Sequence, residues 1–415
     1  MAKLMFFGFV LSSVYTHPIR EFGTSPILGR MVWADMFGLA TIIAMLVQMR
    51  PHVNKVAMGA LCFLAALLPG VAASTAPMRT FLEIAIYAFL VFVFISGAQV
   101  LYTKKDLVNL LRVIAVAAIL GAGLGIWENS THFTGLPRLF GEDVRAYRGA
   151  TFRNSGQAGS YLMVTLSALI PFRYGEFGKS LSVADRRLFD VAIATSGICI
   201  LMTVKIAAYI GISIGAIGFA AHKRKLGFVI PLIVTFLVLQ NSVPWIQSKF
   251  PTLANRFNRK VESRLTIDVV TDDDSFIADN YGLAIEAFVD NPLFGTGING
   301  FAGRYHKYEI HSTPMKLLGE TGLLGCLGYV FFTLILIKEY AVLLKYPPSN
   351  QYREALFMMV PFLLGCSVSW LYTFHMRKRE FWIMMVVVAV TVQLMKYSSR
   401  HDDNGEFLLS NHTYY

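Results

Sequence analysis

The residue best suited to chemistry in this sequence is a histidine that precedes a predicted helix. His311 is followed by Ser312, Thr313 and Pro314. A hydroxyl side chain at the N-cap and a proline at the first helical position predict that a helix begins here. The positive end of the helix dipole disfavours imidazolium, and a neutral imidazole is the form that acts as a general base at neutral pH. The alternative interpretation is a histidine that only forms a hydrogen bond at an interface.

Cations are frequent in the polar segments around this histidine. Segments 128–156 and 244–313 contain Arg138, Arg145, Arg148, Arg153, Lys249, Arg256, Arg259, Lys260, Arg264, Arg304 and Lys307. Lys205 is predicted at the tip of a helical hairpin, close to the apolar phase, where a charge is costly and often functional. Arginine forks and lysine ammonium groups both bind phosphate oxygens, which suits a lipid-linked pyrophosphate. Alternatively, each cation binds lipid headgroups or snorkels.

Three other features of the sequence are candidate site components. Glu320, two turns into the helix after His311, is predicted to orient a cation or to accept a hydrogen bond from a neighbouring helix backbone. Gly295, Gly297 and Gly300 resemble a phosphate-binding loop only superficially, because no strand precedes them, and tight turns explain them better. Residues 272–274 are three aspartates, which are more typical of a helix cap or a solvated surface than of a divalent metal site.

The composition is that of a protein embedded in a membrane. Of its 415 residues, 55% are hydrophobic and only 15% are charged, whereas soluble proteins have about 25% charged residues. The net charge of +11 is explained by cytoplasmic loops, and no nucleic-acid-binding module is present. The four cysteines all lie in apolar runs, which predicts neither disulfides nor a zinc site.

Continuous apolar runs predict an all-α polytopic fold, since a helix needs about 20 residues to cross a bilayer. We predict about twelve spans, near residues 4–15, 31–49, 54–73, 79–101, 107–127, 157–173, 188–203, 205–221, 226–243, 314–338, 354–374 and 379–397. The seventh and eighth are predicted to form a tight hairpin around Lys205. The first run lacks a small-residue cleavage site, so no cleavable signal peptide is expected.

The positive-inside rule gives an orientation for these spans. With the N-terminus in the cytoplasm, the connections at Arg50, Lys104, Arg186 and Lys223 all fall inside. The cluster at residues 377–379 falls outside, so either a span is miscounted or these cations have a function there. The domain prediction is: residues 1–243, helices one to nine with outer loop 128–156; 244–313, a large periplasmic loop; 314–397, helices ten to twelve; and 398–415, a cytoplasmic tail.

Three motifs give the chain a family resemblance. PLFGTGINGF, then His311, then LLGETGLLG resembles the outer-loop end of the O-antigen ligase and O-antigen polymerase superfamily of bacterial membrane glycosyltransferases. RGATFRNSGQAG, which contains Asn154, is similar to the G-x-F-x-N segment of that family. TVKIA around Lys205 occupies the hairpin where the family usually has Ser-Arg. Ser312 stands where the family often has asparagine, and DSFIADNYGLAIEAF lacks a common arginine, for which Arg264 or Arg304 is a substitute.

The resemblance implies a GT-C-like fold and a metal-independent inverting transferase in the bacterial inner membrane, with its site facing the periplasm and no cofactor. His311 would be the general base. Lys205 and the arginines, Arg148 and Arg153 first and then Arg145, Arg264 and Arg304, would bind the pyrophosphate, with Glu320 and Asn154 in support. The donor would be a glycan on undecaprenyl pyrophosphate. A lipid A–core acceptor would make the protein a ligase, and a second lipid-linked glycan would make it a polymerase.

Two alternatives from other classes remain open at the level of sequence. A transporter or flippase of lipid-linked glycans would use the cations to line a path across the membrane. A metal-dependent transferase would use the aspartates at 272–274. Few charged residues lie in the middle of predicted spans, which favours the transferase over transport.

Overall fold

All regular secondary structure in the described part of the chain is helical. The computed structural model describes residues 1–16, 31–48, 53–131, 151–152, 155–203, 205–223, 276–302, 304–306, 309–347 and 349–402. The helices are α1 Ala2–Ser12, α2 Trp33–Gln48, α3 Lys55–Leu67, α4 Pro69–Ala73, α5 Pro77–Val100, α6 Lys104–Thr131, α7 Ser155–Tyr174, α8 Glu176–Lys179, α9 Val183–Thr203, α10 Ile206–Lys223, α11 Phe276–Asp290, α12 Thr313–Ala341, α13 Gln351–Ser369 and α14 Arg379–Asp402. The predicted all-α class is confirmed for these residues.

The helices have the lengths and composition of a membrane protein. Among the described residues, five stretches are long and apolar enough to cross a bilayer, namely Lys55–Ala73, Pro77–Val100, Lys104–Trp127, Thr313–Lys345 and Arg379–Ser398. A helix overlaps every predicted span except the ninth, residues 226–243, which lies outside the described residues. The predicted segment 244–313 contains a helix, α11, that the sequence analysis did not anticipate.

Local sequence signals explain where several helices begin. The Asn54 side chain accepts a hydrogen bond from the Ala57 N–H at 2.8 Å at the start of α3. Asn350 accepts from the N–H groups of Tyr352 and Arg353 at the start of α13. These asparagines satisfy N–H groups that have no partner inside the helix, which is why each helix begins at that point.

Glycines determine which helices pack together. A Cβ on Gly365 of α13 would lie 2.0 Å from the Gly211 carbonyl oxygen of α10, so these backbones are in direct contact. Small residues allow such close approach in membranes. Helix α9 packs instead against α6 and α7. The predicted tight hairpin of α9 and α10 is therefore wrong in one respect: the helices are consecutive, but each packs mainly on other partners.

Two ion pairs link the beginnings of α1, α6 and α9. The sequence analysis predicts that these three beginnings lie on the cytoplasmic side of the membrane. Arg112 of α6 forms a bidentate pair with Asp185 of α9 at 2.6 and 2.9 Å. Lys3 of α1 binds Asp106 at 2.8 Å. All four residues lie near the beginnings of their helices. The helices α1, α6 and α9 consequently run in the same direction.

Helix α12 is broken, which differs from the predicted continuous span. Gly322 has φ 59° and ψ −161°, outside helical values. Glycine adopts this conformation without the steric cost that a Cβ imposes. The sequence did not predict the break, because an apolar run is equally consistent with a broken helix and with a continuous one.

Gly365→Ala tests the contact between α10 and α13. The new Cβ would overlap the Gly211 carbonyl oxygen, so the helices must separate. We expect the free energy of unfolding to fall by about 1–3 kcal/mol, measured as a lower thermal midpoint of the purified protein in detergent. Gly197→Ala in α9 is the matched control, since no atom lies within 4 Å of its added Cβ. Equal midpoints for the two variants would contradict the close contact.

Candidate functional site

The break in α12 is filled by the loop that follows α11. The N–H groups of Leu323 and Leu324 donate to the carbonyl oxygens of Pro292 and Leu293 at 2.8 and 3.1 Å. In return, the Thr296 N–H donates to the Gly319 carbonyl oxygen at 3.1 Å. Backbone groups released by the break therefore find partners in the loop, as buried backbone must. The two glycine-containing segments of the first motif, PLFGTGINGF and LLGETGLLG, are therefore hydrogen-bonded to each other.

Glycines in both segments make this interlock sterically feasible. A Cβ on Gly295 would lie 2.5 Å from the Glu320 carbonyl carbon, and a Cβ on Gly322 would lie 2.6 Å from the Gly295 nitrogen. Gly295 and Gly297 have φ of 63° and 78°, so the predicted role in tight turns is confirmed for both. Gly300 has no such φ, but its Cβ would lie 2.2 Å from the Thr296 carbonyl oxygen.

Glu320 ties the same loop to the first half of α12. Its side chain is fully buried, and its Oε2 accepts a hydrogen bond from the Asn299 N–H at 2.6 Å. The Lys316 ammonium lies 3.4 Å from the same oxygen. Both predicted contacts, a cation and a backbone N–H, are thus present. The N–H belongs to the interlocked loop rather than to a neighbouring helix.

A chain of ion pairs continues from Glu320 to the residue two positions before His311. Lys316 lies 3.4 Å from Glu309, and Arg377 lies 3.2 Å from Glu309 and 3.3 Å from Glu83 of α5. Burial by itself would raise the pKa of Glu309, but Lys316 and Arg377 outweigh it and lower that pKa to about 2. Glu309 is therefore ionised at neutral pH and fixed in place.

His311 stands at the start of α12, as predicted. Ser312 is the N-cap, with its hydroxyl 3.5 Å from the Met315 nitrogen, and Pro314 occupies the first turn. The imidazole remains accessible to solvent. Partial desolvation lowers the pKa of His311; Glu309 opposes this shift, and the nearby lysines reinforce it. The imidazole is therefore neutral at pH 7.

Two lysines that act electrostatically on this histidine share one hydrogen-bond acceptor. The ammonium groups of Lys205 and Lys378 donate to the same oxygen, Ser160 Oγ, at 2.9 and 3.0 Å. Lys205 also donates to the Gly156 carbonyl oxygen at 2.9 Å. Burial is the main cause that lowers the pKa of Lys378; Glu380 opposes this shift and Arg377 adds to it. We call the two ammonium groups on one hydroxyl the lysine pair, and the buried carboxylate of Glu380 interacts with both.

Both lysines influence His311 electrostatically. Lys205 was a sequence prediction, whereas Lys378 was not. The signal for Lys378 was the cationic cluster at residues 377–379, which broke the positive-inside pattern. The structure gives all three cations partners, because Arg377 binds Glu83 and Arg379 binds Asp35 at 2.5 Å.

The turn between α13 and α14 holds the start of α12. The Thr313 N–H donates to the Trp370 carbonyl oxygen at 3.0 Å, and the Thr313 hydroxyl donates to the Thr373 carbonyl oxygen at 2.8 Å. His375 Nδ1 lies 3.0 Å from the same hydroxyl oxygen. Because that hydroxyl already donates its hydrogen, Nδ1 must be the donor to it. Sequence reasoning missed this turn altogether.

His375 is held rigidly as a neutral imidazole. It stacks on Trp370 with ring centroids 3.7 Å apart and is almost fully buried. Burial lowers its pKa well below the usual value, and Lys378 contributes in the same direction. His375 is therefore a fixed partner of the Thr313 hydroxyl, two residues after His311.

Several predicted site residues are not placed by the structure. Arg145, Arg148, Arg153, Asn154 and Arg264 lie outside the described residues, as do the aspartates at 272–274.

Arg304 is described, and it lies in a different environment from the lysine pair. It is exposed, 3.9 Å from Asp290 and over the Tyr305 ring. None of the contacts described for it involves Lys205, Lys378 or His311. The prediction that it binds pyrophosphate gains no geometric support from this arrangement.

No protein-family model matches the chain, and no curated protein matches it. Within the described residues, no group of three or more His, Cys, Asp or Glu side chains is arranged to hold a metal ion. The activity must therefore be inferred from the chain's own residues, in particular from the neutral histidine and the lysine pair.

Gly295→Ala tests the interlock between the loop and α12. A Cβ at φ 63° costs about 1–2 kcal/mol, and here it also overlaps the backbone of Glu320. We expect hydrogen–deuterium exchange of residues 291–300 and 319–325 to accelerate about tenfold or more. Gly282→Ala in α11, where an added Cβ meets no atom within 4 Å, is the control. Unchanged exchange in Gly295→Ala would exclude the interlock.

Proposed function

We propose that this protein is a membrane glycosyltransferase of the O-antigen ligase type. It would span the bacterial inner membrane about twelve times, with the large loop and the His311 end of the helices in the periplasm. The donor would be a glycan on undecaprenyl pyrophosphate, and the acceptor a lipid A–core oligosaccharide. The proposal involves no cofactor and no metal.

The observation that carries the proposal is the lysine pair beside a neutral histidine. Two ammonium groups close together repel each other unless an anion lies between or near them. The buried carboxylate of Glu380 interacts with both ammonium groups. A pyrophosphate would add a second anion beside them, and it would also serve as the leaving group of a lipid-linked donor. Transfer of a glycan from such a donor to a hydroxyl requires a general base close to an anion-binding site.

The reaction follows from these positions. His311 takes the proton of an acceptor hydroxyl as its oxygen bonds to the anomeric carbon from the side opposite the pyrophosphate. The bond between the anomeric carbon and the pyrophosphate oxygen breaks, and that oxygen keeps the electron pair, so the configuration inverts. Lys205 and Lys378 stabilise the developing charge. Glu309 stabilises the imidazolium that His311 becomes, and no general acid is needed.

The sequence motifs suggest further cationic side chains for pyrophosphate binding. Arg148 and Arg153, which the family resemblance assigns to pyrophosphate binding, belong to the segment that leads into α7. Ser160, the hydroxyl shared by the lysine pair, lies in the first turns of the same helix. Because these arginines precede α7 closely in sequence, we propose that they share the pyrophosphate with the lysine pair.

Transfer between substrates explains the charged groups better than transport does. The ion pairs Lys3–Asp106 and Arg112–Asp185 lie at one end of the helices, and the network around Glu309 lies at the beginnings of α5, α12 and α14. A transport path would need polar groups between the two ends. A polymerase, with a second lipid-linked glycan as acceptor, would use the same site.

A transfer assay with purified protein tests the proposed reaction. Lipid-linked O-antigen is the donor and rough lipopolysaccharide is the acceptor. We expect His311→Gln to lower the rate by about 10²–10⁴-fold, the usual contribution of a general base. The matched control is His222→Gln at the far end of α10, which should retain full activity. Full activity in His311→Gln would refute the assignment of the base.

The product of the same assay separates the related activities. Ladders on lipopolysaccharide indicate a ligase, and longer chains that stay on the lipid carrier indicate a polymerase. Loss of transfer in Lys205→Ala and Lys378→Ala, with retention in Lys179→Ala, supports the anion site. Lys179 is an exposed residue of α8. No transfer with any donor would count against a transferase.

The pH dependence of transfer tests the electrostatics around His311. Glu309 raises the pKa of His311 and Lys378 lowers it, so removing either charge should move the acid limb of the rate profile. Glu309→Gln should shift the limb to lower pH, and Lys378→Met should shift it to higher pH, whatever the absolute rates. A limb that stays in place in both variants would show that His311 is not the titrating group.

A further inference from the structure

Helix α11 carries a stripe of exposed apolar side chains that continues into the loop after it. Ile285, Val289 and Leu293 are 50%, 69% and 56% exposed. Their spacing of four residues places the first two on one helical face and extends the line to the third. The sequence prediction placed this segment in a loop outside the membrane, where such a stripe would face water.

The opposite face of α11 is packed against α12. Ala284 and Ala287 are fully buried, and a Cβ added to Gly319 of α12 would lie 2.8 Å from the Ala284 carbonyl oxygen. Small residues thus bring the two helices into close contact. This contact fixes α11 on α12 and points the stripe away from the protein.

The stripe joins the exposed surface of a membrane-spanning candidate. The backbone of Leu293 bonds to Leu324 at 3.1 Å. Leu323, Leu327 and Leu334 of α12 are 48%, 57% and 57% exposed. Helix α12 belongs to the stretch Thr313–Lys345, which is long and apolar enough to cross a bilayer. One apolar surface therefore runs from Ile285 along α12.

We propose that α11 is immersed in the bilayer, with Ile285, Val289 and Leu293 in contact with lipid acyl chains. The partner of this surface is lipid because the surface is continuous with that of a spanning helix, which has acyl chains as its neighbours. Of the two acidic residues beside the stripe, Asp290 accepts a hydrogen bond from the Tyr305 hydroxyl and lies 3.9 Å from Arg304, and Glu286 is exposed. The polar boundary at the His311 end consequently lies nearer to the base than the sequence prediction implies.

The burial of the loop after α11 is consistent with a position inside the bilayer. Irregular backbone is tolerated inside a bilayer only where protein buries it and satisfies its hydrogen bonds. Thr296 and Ile298 are 2% exposed, and the backbone groups at Pro292, Leu293 and Thr296 are bonded to α12. Residues 295–298 of the loop are buried, so this part of the loop meets that condition.

Spin-label accessibility tests the proposal on the full chain. Single cysteines replace Ile285, Val289 or Leu293 in a background with the four native cysteines changed to alanine. The labelled protein is reconstituted in nanodiscs of phosphatidylethanolamine and phosphatidylglycerol. We expect collisions with oxygen to exceed those with a water-soluble nickel chelate several-fold at all three positions. Leu327→Cys is the lipid reference, and Lys179→Cys is the water reference.

Each alternative occupant gives a different result. A nickel preference like that of Lys179→Cys would show that the stripe faces water, and low collision rates with both reagents would show that protein covers it. Either result overturns the proposal. Each variant is accepted only if it keeps the thermal midpoint and gel-filtration profile of the cysteine-free parent. The test needs no substrate, so it is independent of the proposed reaction.

Discussion

The interlock between the broken helix α12 and the loop after α11 is the constraint on which the site depends. The loop fills the break at Gly322, and its Asn299 N–H binds Glu320 at 2.6 Å. Glu320 in turn holds Lys316, which binds Glu309. A helix that ran on unbroken would leave no place for the loop, and the charge network that ends beside His311 would lose its first member.

Charge is distributed unevenly around His311. On one side, Glu83, Glu309 and Glu320 outnumber the cations Lys316 and Arg377 that bind them. On the other side is the lysine pair on Ser160. Both groups act on His311: Glu309 raises the pKa of its imidazole, and Lys205 and Lys378 lower it.

Some of this could be predicted from sequence and some could not, for physical reasons. The start of α12 at Thr313 was predictable because the cap and the proline are local signals. The roles of Gly295 and Gly297 were predictable because turn chemistry is local too. Lys378 meets Ser160 across 218 positions of sequence, and only packing creates that pair. The break at Gly322 was hidden because glycine is common in membrane helices and an apolar run gives no sign of a kink.

The mutual fit of Gly295 and Gly322 has a consequence for how such a chain can change over time. Each glycine excludes a Cβ because the backbone of the other segment occupies that space. Neither segment can therefore be exchanged for a foreign counterpart by itself. We expect recombination within residues 291–325 to be selected against, whereas exchanges that carry these residues whole would keep Gly295, Gly322 and His311 together.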